Sequence, residues 1–344
     1  MRASELGEFG LIERLTATLG AAPGAQLVLG IGDDAAAWTP TPGTLTVATT
    51  DALVEGVHFD LATTGWRDLG WKALAQNVSD VAAMGCAPRY ALVALGLEGD
   101  PAVADVEALY AGMDACARAY GCAIIGGDVV RAPCVMISIT LLGESVPIAT
   151  GKSRPLLERG AARPGDQLAV TGPLGGSAAG LRVLSRDGAT ADADDSLVVA
   201  HRRPQPRVGA GQALVEAGVR CALDVSDGLV ADVGHICERS GVDAEIEAAR
   251  IPLFAEAQTR FPADALAMAL AGGEDFELVC AASPEALARA SRLLAARGES
   301  PLMMIGHIVE RAGERPMVRV RGPDGSLRPV VVGGWQHFGP LSRP

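Results

Sequence analysis

Apolar and polar positions follow two alternating periods along this chain of 344 residues. Apolar residues three and four apart predict helices over Asp68–Met84, Val103–Tyr120 and Pro284–Arg297, and shorter helices from Ser177 and Arg207. Short runs rich in branched aliphatic residues predict strands at Leu27–Ile31, Leu45–Thr49, Tyr90–Leu97, Val135–Gly143, Gln167–Thr171, Cys221–Val225, Phe276–Cys280 and Leu302–Val309, with a further short strand ending at Gly126. Because helices and strands alternate almost throughout, we predict an α/β protein with mixed sheets.

The periodicity fails between Glu144 and Asp166, where glycine, proline and arginine accumulate. We therefore predict an N-terminal α/β domain over residues 1–148 and a C-terminal α/β domain over residues 149–344. A polar, small-residue stretch within Gly180–Asp195 is expected to form an exposed loop.

Composition restricts the class of partner and the compartment. The formal net charge of −12 argues against nucleic acid, because a protein that neutralises phosphates presents a basic surface. The sequence contains no apolar window long enough to span a membrane, and the N-terminus lacks the apolar run of a signal peptide. Seven cysteines without a CxxC pair suit reduced thiols. We expect a cytoplasmic protein that binds neither nucleic acid nor a membrane.

Nine carboxylates stand in short glycine- or serine-containing motifs that hold no lysine or arginine. They are Asp33 and Asp34 in GIGDDAA, Asp51 in TTDALVEGVHF, Asp80 in NVSDVAAMG, Asp128 in GGD, Asp224 and Asp227 in DVSDGL, and Glu274 and Asp275 in GGEDFEL. A close pair of carboxylates costs about 4 kcal/mol at an effective dielectric constant near 20. If the fold brings these groups into one pocket, divalent cations must occupy it, and Mg²⁺ is the hard, oxygen-preferring candidate.

The residues around these carboxylates favour the same interpretation. Thr49 and Thr50 add oxygen donors directly before Asp51, and Asp80 shares a helix face with Asn77. Gly126 and Gly127 before Asp128 would let a phosphate approach the main chain. For a single residue such as Asp227, which follows Ser226 at a strand-to-helix corner, a helix N-cap remains an alternative.

Two short patterns resemble nucleotide-binding loops and are rejected. GKS at Gly151–Ser153 lacks the earlier glycine of a P-loop, because Val146 stands at that position. GIGDDA at Gly30–Ala35 fits the dinucleotide pattern, but two aspartates would occupy the place where a pyrophosphate meets helix N–H groups.

Three further features keep two interpretations each. His58 in VEGVHF is either a ligand contact or a buried, hydrogen-bonded histidine. Trp335 in GGWQHF is either an aromatic ring over a ligand or part of a core. The glycine loop Thr171–Leu181 either contacts phosphate or forms a tight turn with close helix packing.

The ordered motifs GEFGLIERL, GIGDDAA, TTDALVEGVHF, KALAQNVSDVAAMG, GGD, TGPLGGSAAGL, DVSDGL and GGEDFEL resemble those of the thiamine-monophosphate kinase family from Gly7 to Phe338. That family belongs to the superfamily of aminoimidazole ribonucleotide synthetase and selenophosphate synthetase. The resemblance implies the two-domain fold of that superfamily, a homodimer whose N-terminal strands form a barrel, and phosphorylation of thiamine monophosphate with ATP and Mg²⁺.

The resemblance also implies roles for individual residues. The metal ligands it implies are Asp34, Thr49, Thr50, Asp51, Asp80, Asp128, Asp224 and Asp227. The ATP contacts it implies are Tyr110, Gly127, Asp128, Arg159 and Ser226, and the substrate contacts are His58, Glu274 and Trp335. One departure from the family pattern is Val129, which stands where the family usually has threonine after GGD.

This reaction needs no catalytic nucleophile or base from the protein, because the substrate phosphate is itself the nucleophile. We expect direct in-line transfer of the γ-phosphoryl group, with Asp51, Asp128 and Asp224 essential through the metal. Two alternatives remain. One is another ATP-dependent enzyme of the superfamily, such as a cyclo-ligase or a selenophosphate synthetase. Selenophosphate synthetases usually have a reactive cysteine or selenocysteine near the N-terminus, whereas the first cysteine here is Cys86. The other is a non-catalytic sensor of nucleotide or metal.

Overall fold

The computed structural model describes residues 1–20, 26–147, 156–188, 191–322 and 324–330. The chain forms two compact units. The first unit comprises Met1–Leu156, Val183–Asp195 and Arg202–Val215, and the second comprises Leu157–Arg182, Ser196–His201 and Glu216–Pro344. The two domains expected on either side of residue 148 stay a prediction. The two units are not divided at one position, because Val183–Asp195 and Arg202–Val215 belong to the first unit.

Helices and strands alternate along the described residues, which confirms the mixed α/β architecture. The helices are α1 (Ala3–Thr18), α2 (Trp66–Ala83), α3 (Val103–Tyr120), α4 (Gly176–Asp187), α5 (Ser196–Arg202), α6 (Val208–Glu216), α7 (Leu229–Ser240), α8 (Ala255–Arg260), α9 (Ala265–Ala271) and α10 (Pro284–Ala296). The strands are β1 (Leu27–Leu29), β2 (Ala37–Trp38), β3 (Thr46–Val54), β4 (Ala87–Leu97), β5 (Ala123–Arg131), β6 (Met136–Glu144), β7 (Gln167–Val170), β8 (Cys221–Asp224), β9 (Asp243–Glu247), β10 (Leu278–Ala282), β11 (Met303–Val309), β12 (Val318–Arg321) and β13 (Leu327–Pro329).

The first unit is built on a four-stranded sheet with the order β3-β6-β4-β5. Only β4 and β5 run parallel, and β3 and β5 are the edge strands. Helix α2 packs on one face of this sheet and contacts α3. Buried side chains such as Leu74, Val93, Leu109 and Ile139 fill the layer between the sheet and the helices. The helices therefore cover one face of the sheet, and every second strand residue points to the other face.

The second unit contains a seven-stranded sheet with the order β13-β12-β9-β11-β7-β10-β8. Its strand pairs are antiparallel except for β12 and β9. Helix α7 packs against this sheet, and Leu168, Leu223, Val233 and Ile305 belong to its buried core. Strand β8 is a buried strand at the edge of the sheet. It ends at Asp224, the first residue of the DVSDGL motif.

Several element bounds differ from the sequence predictions, mainly beside the acidic motifs. Strand β3 continues through Asp51 to Val54, because these residues pair in register with β6. Strand β5 continues beyond Gly126 through Asp128 to Arg131, because it pairs with β4. Helix α4 occupies Gly176–Asp187, so within Gly180–Asp195 only the residues after Asp187 are left for the predicted exposed loop. Polar residues can extend a strand wherever a partner strand completes the hydrogen bonds.

Strand β10 begins at Leu278 rather than at Phe276, because Phe276 has a φ of 50°. That left-handed conformation is incompatible with a strand. Among the described residues, no helix combines the length and the apolar composition that crossing a membrane requires.

Candidate functional site

The TTD segment of β3 presents a threonine and an aspartate to the helix-covered face of the first sheet. Leu53 on the same strand is buried in the core between sheet and helices. Because side chains alternate along a strand, Thr49 and Asp51 point to the same face as Leu53, and both are half-buried. The TTD motif therefore delivers a hydroxyl and a carboxylate to one face.

Asp80 reaches this face from α2. The Thr49 Oγ1 hydroxyl donates a hydrogen bond to Asp80 Oδ2. Helix α2 is rigidly supported here, because its neighbouring residues Val78, Ser79 and Val81 are buried. Thr49, Asp51 and Asp80 thus form one group of oxygen donors in the first unit, and we call this group the β3–α2 acidic face.

Thr50 lies on the opposite face of β3. Its Oγ1 hydroxyl donates to the Ile139 carbonyl at 3.2 Å and accepts from Thr140 Oγ1 at 3.2 Å. The side chain of Thr50 is therefore separated from Thr49 and Asp51 by the strand itself. Of the Thr50 oxygen atoms, the main-chain carbonyl oxygen is the one left for a ligand of the β3–α2 acidic face.

Asp128 lies on β5, on the face of the sheet opposite the helices. Its neighbours in the same row across the sheet are Ala94 and Ser138 rather than core residues. The preceding Gly127 packs so tightly against β4 that a Cβ atom would lie 2.1 Å from the Val93 carbonyl oxygen. Sheet packing alone therefore requires glycine at this position.

The register of the sheet separates Asp51 from Asp128. Asp51 pairs with Ile139, Ile139 with Val93, and Val93 with Gly127, which spans the whole sheet from β3 to β5. Three strand spacings correspond to about 14 Å, and the two side chains point to opposite faces. One sheet therefore does not bring these two carboxylates to the same cation.

Asp34 and His58 lie in turns that flank strands of the first unit. The Asp33 carboxylate accepts a hydrogen bond from the Asp34 N–H at 2.9 Å, and both side chains are exposed after the positive φ of Gly32. His58 Nδ1 accepts a hydrogen bond from the Val54 N–H at 3.1 Å, which fixes the imidazole ring beside the end of β3. One of the two interpretations of His58 was a buried, hydrogen-bonded histidine; the hydrogen bond is present, but the residue is half-buried.

Three further residues implied by the resemblance have different surroundings. Tyr110 on α3 is buried in the core of the first unit, and this burial raises its pKa to about 12. Arg159 is exposed in a short 3-10 turn in the second unit, where its carbonyl accepts from Ser240 Oγ at 3.0 Å. Trp335 lies outside the described residues.

The acidic motifs of the second unit are joined through their main chains. The Glu274 N–H donates to the Ser226 carbonyl at 2.9 Å, and the Phe276 N–H donates to the Val225 carbonyl at 3.0 Å. The Val225 N–H donates back to the Glu277 carbonyl at 2.7 Å. DVSDGL and GGEDFEL are far apart in the sequence, but these main-chain hydrogen bonds hold the two motifs side by side, next to the buried Asp224.

Asp232 stabilises the turn that precedes α7. Its Oδ2 atom accepts hydrogen bonds from the N–H groups of Ser226, Asp227 and Gly228 at 3.1, 3.2 and 3.1 Å. Burial, together with the charges of Asp224 and Asp227, raises the pKa of this carboxyl to about 8. Asp232 therefore shapes the loop that presents Ser226 and Asp227.

Asp275 joins the glycine loop of TGPLGGSAAGL to GGEDFEL. Its two carboxylate oxygens accept hydrogen bonds from the N–H groups of Gly175 at 2.6 Å and Ser177 at 3.0 Å, where α4 begins. Burial raises the pKa of Asp275 to about 7, despite these hydrogen bonds. In the second unit, the tight-turn interpretation of the glycine loop is supported, since the Asp275 carboxylate occupies its N–H groups.

Three side chains that shape this part of the second unit were not predicted from the sequence. Asp232 could have been recognised from its position one helical turn after Gly228, where a carboxylate can cap the turn. Ser177 and His201 are in contact through Ser177 Oγ and His201 Nδ1, 3.0 Å apart. No local pattern predicts this contact, because it depends on how α4 and α5 pack.

The β3–α2 acidic face fits a hard divalent cation. Its side-chain donors are the hydroxyl of Thr49 and the carboxylates of Asp51 and Asp80, all oxygen ligands of the kind that Mg²⁺ prefers. In the second unit, Asp227, Asp232 and His235 also offer ligand atoms within 4.8 Å of one another, but Asp232 already accepts three main-chain hydrogen bonds.

Comparison with known proteins connects both units to one family. Residues 32–145 match AIR synthase related protein, N-terminal domain, and residues 163–319 match AIR synthase related protein, C-terminal domain. The thiamine-monophosphate kinase of Synechococcus elongatus is 39% identical over 343 residues, and the match covers 97% of each chain.

Two solved structures are similar over nearly the whole chain. The thiamine-monophosphate kinase from Stenotrophomonas maltophilia K279a is 36% identical, with a TM-score of 0.78 and coverage of 90% of this chain and 95% of that one. A structure described as AaThiL complexed with AMPPCP and TMP is 33% identical, with a TM-score of 0.74 and coverage of 98% and 99%.

Proposed function

The chain belongs to the thiamine-monophosphate kinases of the AIR synthase related family, and we infer that it performs their reaction. It phosphorylates thiamine monophosphate with ATP to give thiamine diphosphate and ADP. The observation that carries this inference is full-length similarity to a relative that binds AMPPCP and TMP, together with oxygen donors of the expected type on the β3–α2 acidic face.

The reaction does not require a protein nucleophile or a general base. The phosphate of the substrate is largely ionised at neutral pH, because its second pKa is about 6. The protein therefore has to bring two polyanions together and hold them in line. No covalent phosphoenzyme is expected, and trapping of a phosphorylated side chain would contradict this mechanism.

We propose that Mg²⁺ ions bind this protein through oxygen ligands. On the β3–α2 acidic face Thr49, Asp51 and Asp80 would hold the ion, with Thr50 contributing through its carbonyl. The further proposed ligands are Asp34, Asp128, Asp224 and Asp227. When bound, Mg²⁺ neutralises phosphate charge that the acidic motifs would otherwise repel. Asp51, Asp128 and Asp224 are therefore proposed to be essential.

Other residues are proposed to contact the two substrates. Gly127, Asp128, Arg159, Ser226 and Tyr110 would contact ATP, and the exposed guanidinium of Arg159 would supply fixed positive charge for its phosphates. His58, Glu274 and Trp335 would contact thiamine monophosphate. The thiazolium ring carries a positive charge, so the Glu274 carboxylate and the Trp335 ring are suitable partners for it.

We also propose that the active protein is a homodimer. The helix-free face of the first sheet exposes Leu92, Val130 and Met136 by 37, 48 and 36%, and such an apolar face favours association.

The compartment follows from composition. We propose a cytoplasmic protein, because the seven cysteines form no disulfide among the described residues. Six of the seven cysteines are buried.

A direct assay tests the function. Purified protein is incubated with ATP, MgCl₂ and thiamine monophosphate, and thiamine diphosphate and ADP are quantified by chromatography. Equimolar formation of the two products is expected, and omission of Mg²⁺ with added EDTA should abolish it.

The same assay separates the alternatives. A precursor of aminoimidazole ribonucleotide serves as the substrate that tests for a cyclo-ligase. Selenide serves as the substrate that tests for a selenophosphate synthetase. Turnover of either one, without thiamine diphosphate formation, would replace the kinase assignment. Binding of ATP without turnover of any substrate would favour a sensor.

A further inference from the structure

His201 on α5 is a buried histidine between two motifs of the second unit. Its Nδ1 atom lies 3.0 Å from Ser177 Oγ and 3.6 Å from Glu274 Oε2. The side chain of His201 is 7% exposed, whereas that of Glu274 is 30% exposed. The imidazole therefore supports the Glu274 carboxylate from the protein side and leaves part of it accessible to a ligand.

The main chain at Glu274 is in an unfavourable conformation. Glu274 and Phe276 have φ angles of 65° and 50°, in the left-handed region that non-glycine residues rarely adopt. Hydrogen bonds hold the segment on both sides: the Asp275 carboxylate accepts from N–H groups at the start of α4, and the Glu274 N–H donates to the Ser226 carbonyl. Such strain persists where the surrounding structure fixes a residue for a function.

The three side chains do not form a catalytic triad. In a triad, the two ring nitrogens of the histidine contact different partners, one the hydroxyl and the other the carboxylate. Here one atom, Nδ1, faces both the Ser177 hydroxyl and the Glu274 carboxylate. Ser177 is also only 1% exposed, so its hydroxyl cannot attack a substrate.

We propose that His201 and Ser177 are positioning residues that orient the Glu274 carboxylate toward the cationic ring of thiamine monophosphate. This inference rests on the proposed contact of Glu274 with that substrate. A proton on Nδ1 donates to Ser177 Oγ and attracts the carboxylate, while Ser177 fixes the ring. The pair thus restricts the rotation of a side chain whose main chain is already fixed, which lowers the cost of ordering it when the substrate binds.

The test measures KM for each substrate and the dissociation constant for thiamine monophosphate in single and double variants. His201→Leu retains most of the volume and removes Nδ1, whereas His201→Asn places an amide nitrogen near the position of Nδ1. We expect His201→Leu to raise KM and the dissociation constant for thiamine monophosphate about tenfold, with KM for ATP nearly unchanged. His201→Asn should restore most of the affinity.

A double-mutant cycle with Glu274→Gln distinguishes positioning from a structural role. Since His201 acts through Glu274, His201→Leu should have less than about a twofold further effect on the dissociation constant in the Glu274→Gln background. A matched control is His307→Leu, which removes another histidine–glutamate pair of the second unit, with 3.7 Å between His307 Nε2 and Glu245 Oε2. This control should leave the affinity for thiamine monophosphate unchanged.

The outcomes distinguish the positioning role from the proposed function. Additive effects in the cycle, an unchanged affinity in His201→Leu, or equal rises in KM for both substrates would overturn the positioning role. If His201→Leu does not fold, Ser177→Ala in the same cycle decides, with an expected loss of affinity of about threefold that disappears in Glu274→Gln. A wild-type protein without kinase activity would instead reject the proposed function, and an unaffected Glu274→Gln variant would reject both the Glu274 contact and the positioning role.

Discussion

Asp51 occupies a half-buried position on β3, on the face where Thr49 donates its hydroxyl to Asp80. Its value to the protein lies in where the strand places it, since the next residue in either direction faces away from α2. The sequence predicted the residue types of this group. The strand and helix supply the orientation that a ligand set requires.

Replacing Asp51 by alanine should lower kcat/KM by about a thousandfold or more, because an acidic oxygen donor for Mg²⁺ is lost. The apoprotein should keep its melting temperature in EDTA or gain slightly, since one negative charge leaves an acidic face. Steady-state kinetics and thermal denaturation measure the two effects. Ala52→Ser, on the opposite face of the same strand, is the control, and turnover of Asp51→Ala within tenfold of wild type would refute the assignment.

At the scale of elements, the start of α7 depends on a buried acid. The pKa of Asp232 rises from its ordinary value of 3.8 to about 8, mainly through burial and then through the charges of Asp224 and Asp227. Between pH 4 and 8, the Asp232 carboxyl therefore keeps its proton in the folded state, whereas the unfolded chain has released it. This contribution to stability is complete below pH 4 and is lost as the pH rises toward 8.

Asp232→Asn should remove this pH dependence. The asparagine carbonyl can accept the three main-chain hydrogen bonds that converge on Oδ2, and it carries no charge. Between pH 5 and 8, the melting temperature of the wild-type apoprotein in EDTA should fall by on the order of 5 °C more than that of the variant. Parallel melting curves over this range would show that the carboxyl of Asp232 does not titrate as described.

The contact between α2 and α3 depends on two glycines. A Cβ atom on Gly70 would lie 1.9 Å from the Leu109 carbonyl oxygen, and one on Gly112 would lie 1.9 Å from the Arg67 carbonyl oxygen. The two helices therefore approach closely, while α2, which carries Asp80, also contacts β3 and β6.

Gly112→Ala should lower the free energy of unfolding by about 1–3 kcal/mol or more, because the helices must separate to admit the methyl group. Denaturant unfolding followed by circular dichroism measures this change. Gly313→Ala is a suitable control, since the nearest atom to its added Cβ would be 3.8 Å away. Equal stability of the two variants would show that the helices separate without cost.

At the scale of the whole molecule, the exposed sheet face should decide the oligomeric state. Leu92→Lys introduces a charge on the helix-free face. We therefore expect the dissociation constant of the proposed dimer to rise about tenfold or more, and activity to fall at low protein concentration. Analytical ultracentrifugation and activity over a dilution series measure both. Met317→Lys, an exposed apolar residue of the second unit, is the matched control. A monomeric wild-type protein with full activity would contradict the proposed dimer.

The helices with a regular apolar period were the most predictable part of the fold, whereas α1 was not predicted. The predicted helix Val103–Tyr120 coincides with α3, and Asp68–Met84 differs from α2 by at most two residues at either end. The helical period is repeated over several turns within one segment, so neighbouring residues contain enough information to define it. Strands were less predictable at their ends, because their extent depends on pairing with distant residues.

The chain's own order of residues determined its α/β class, its acidic motifs and their suitability for a hard cation, because these properties depend on local periodicity and residue chemistry. Tertiary structure alone decided that Asp51 and Asp128 occupy opposite edges of one sheet and that His201 meets Ser177 and Glu274. Strand order and helix packing arise from contacts between residues far apart along the chain, and no local pattern encodes which distant partner each element will meet.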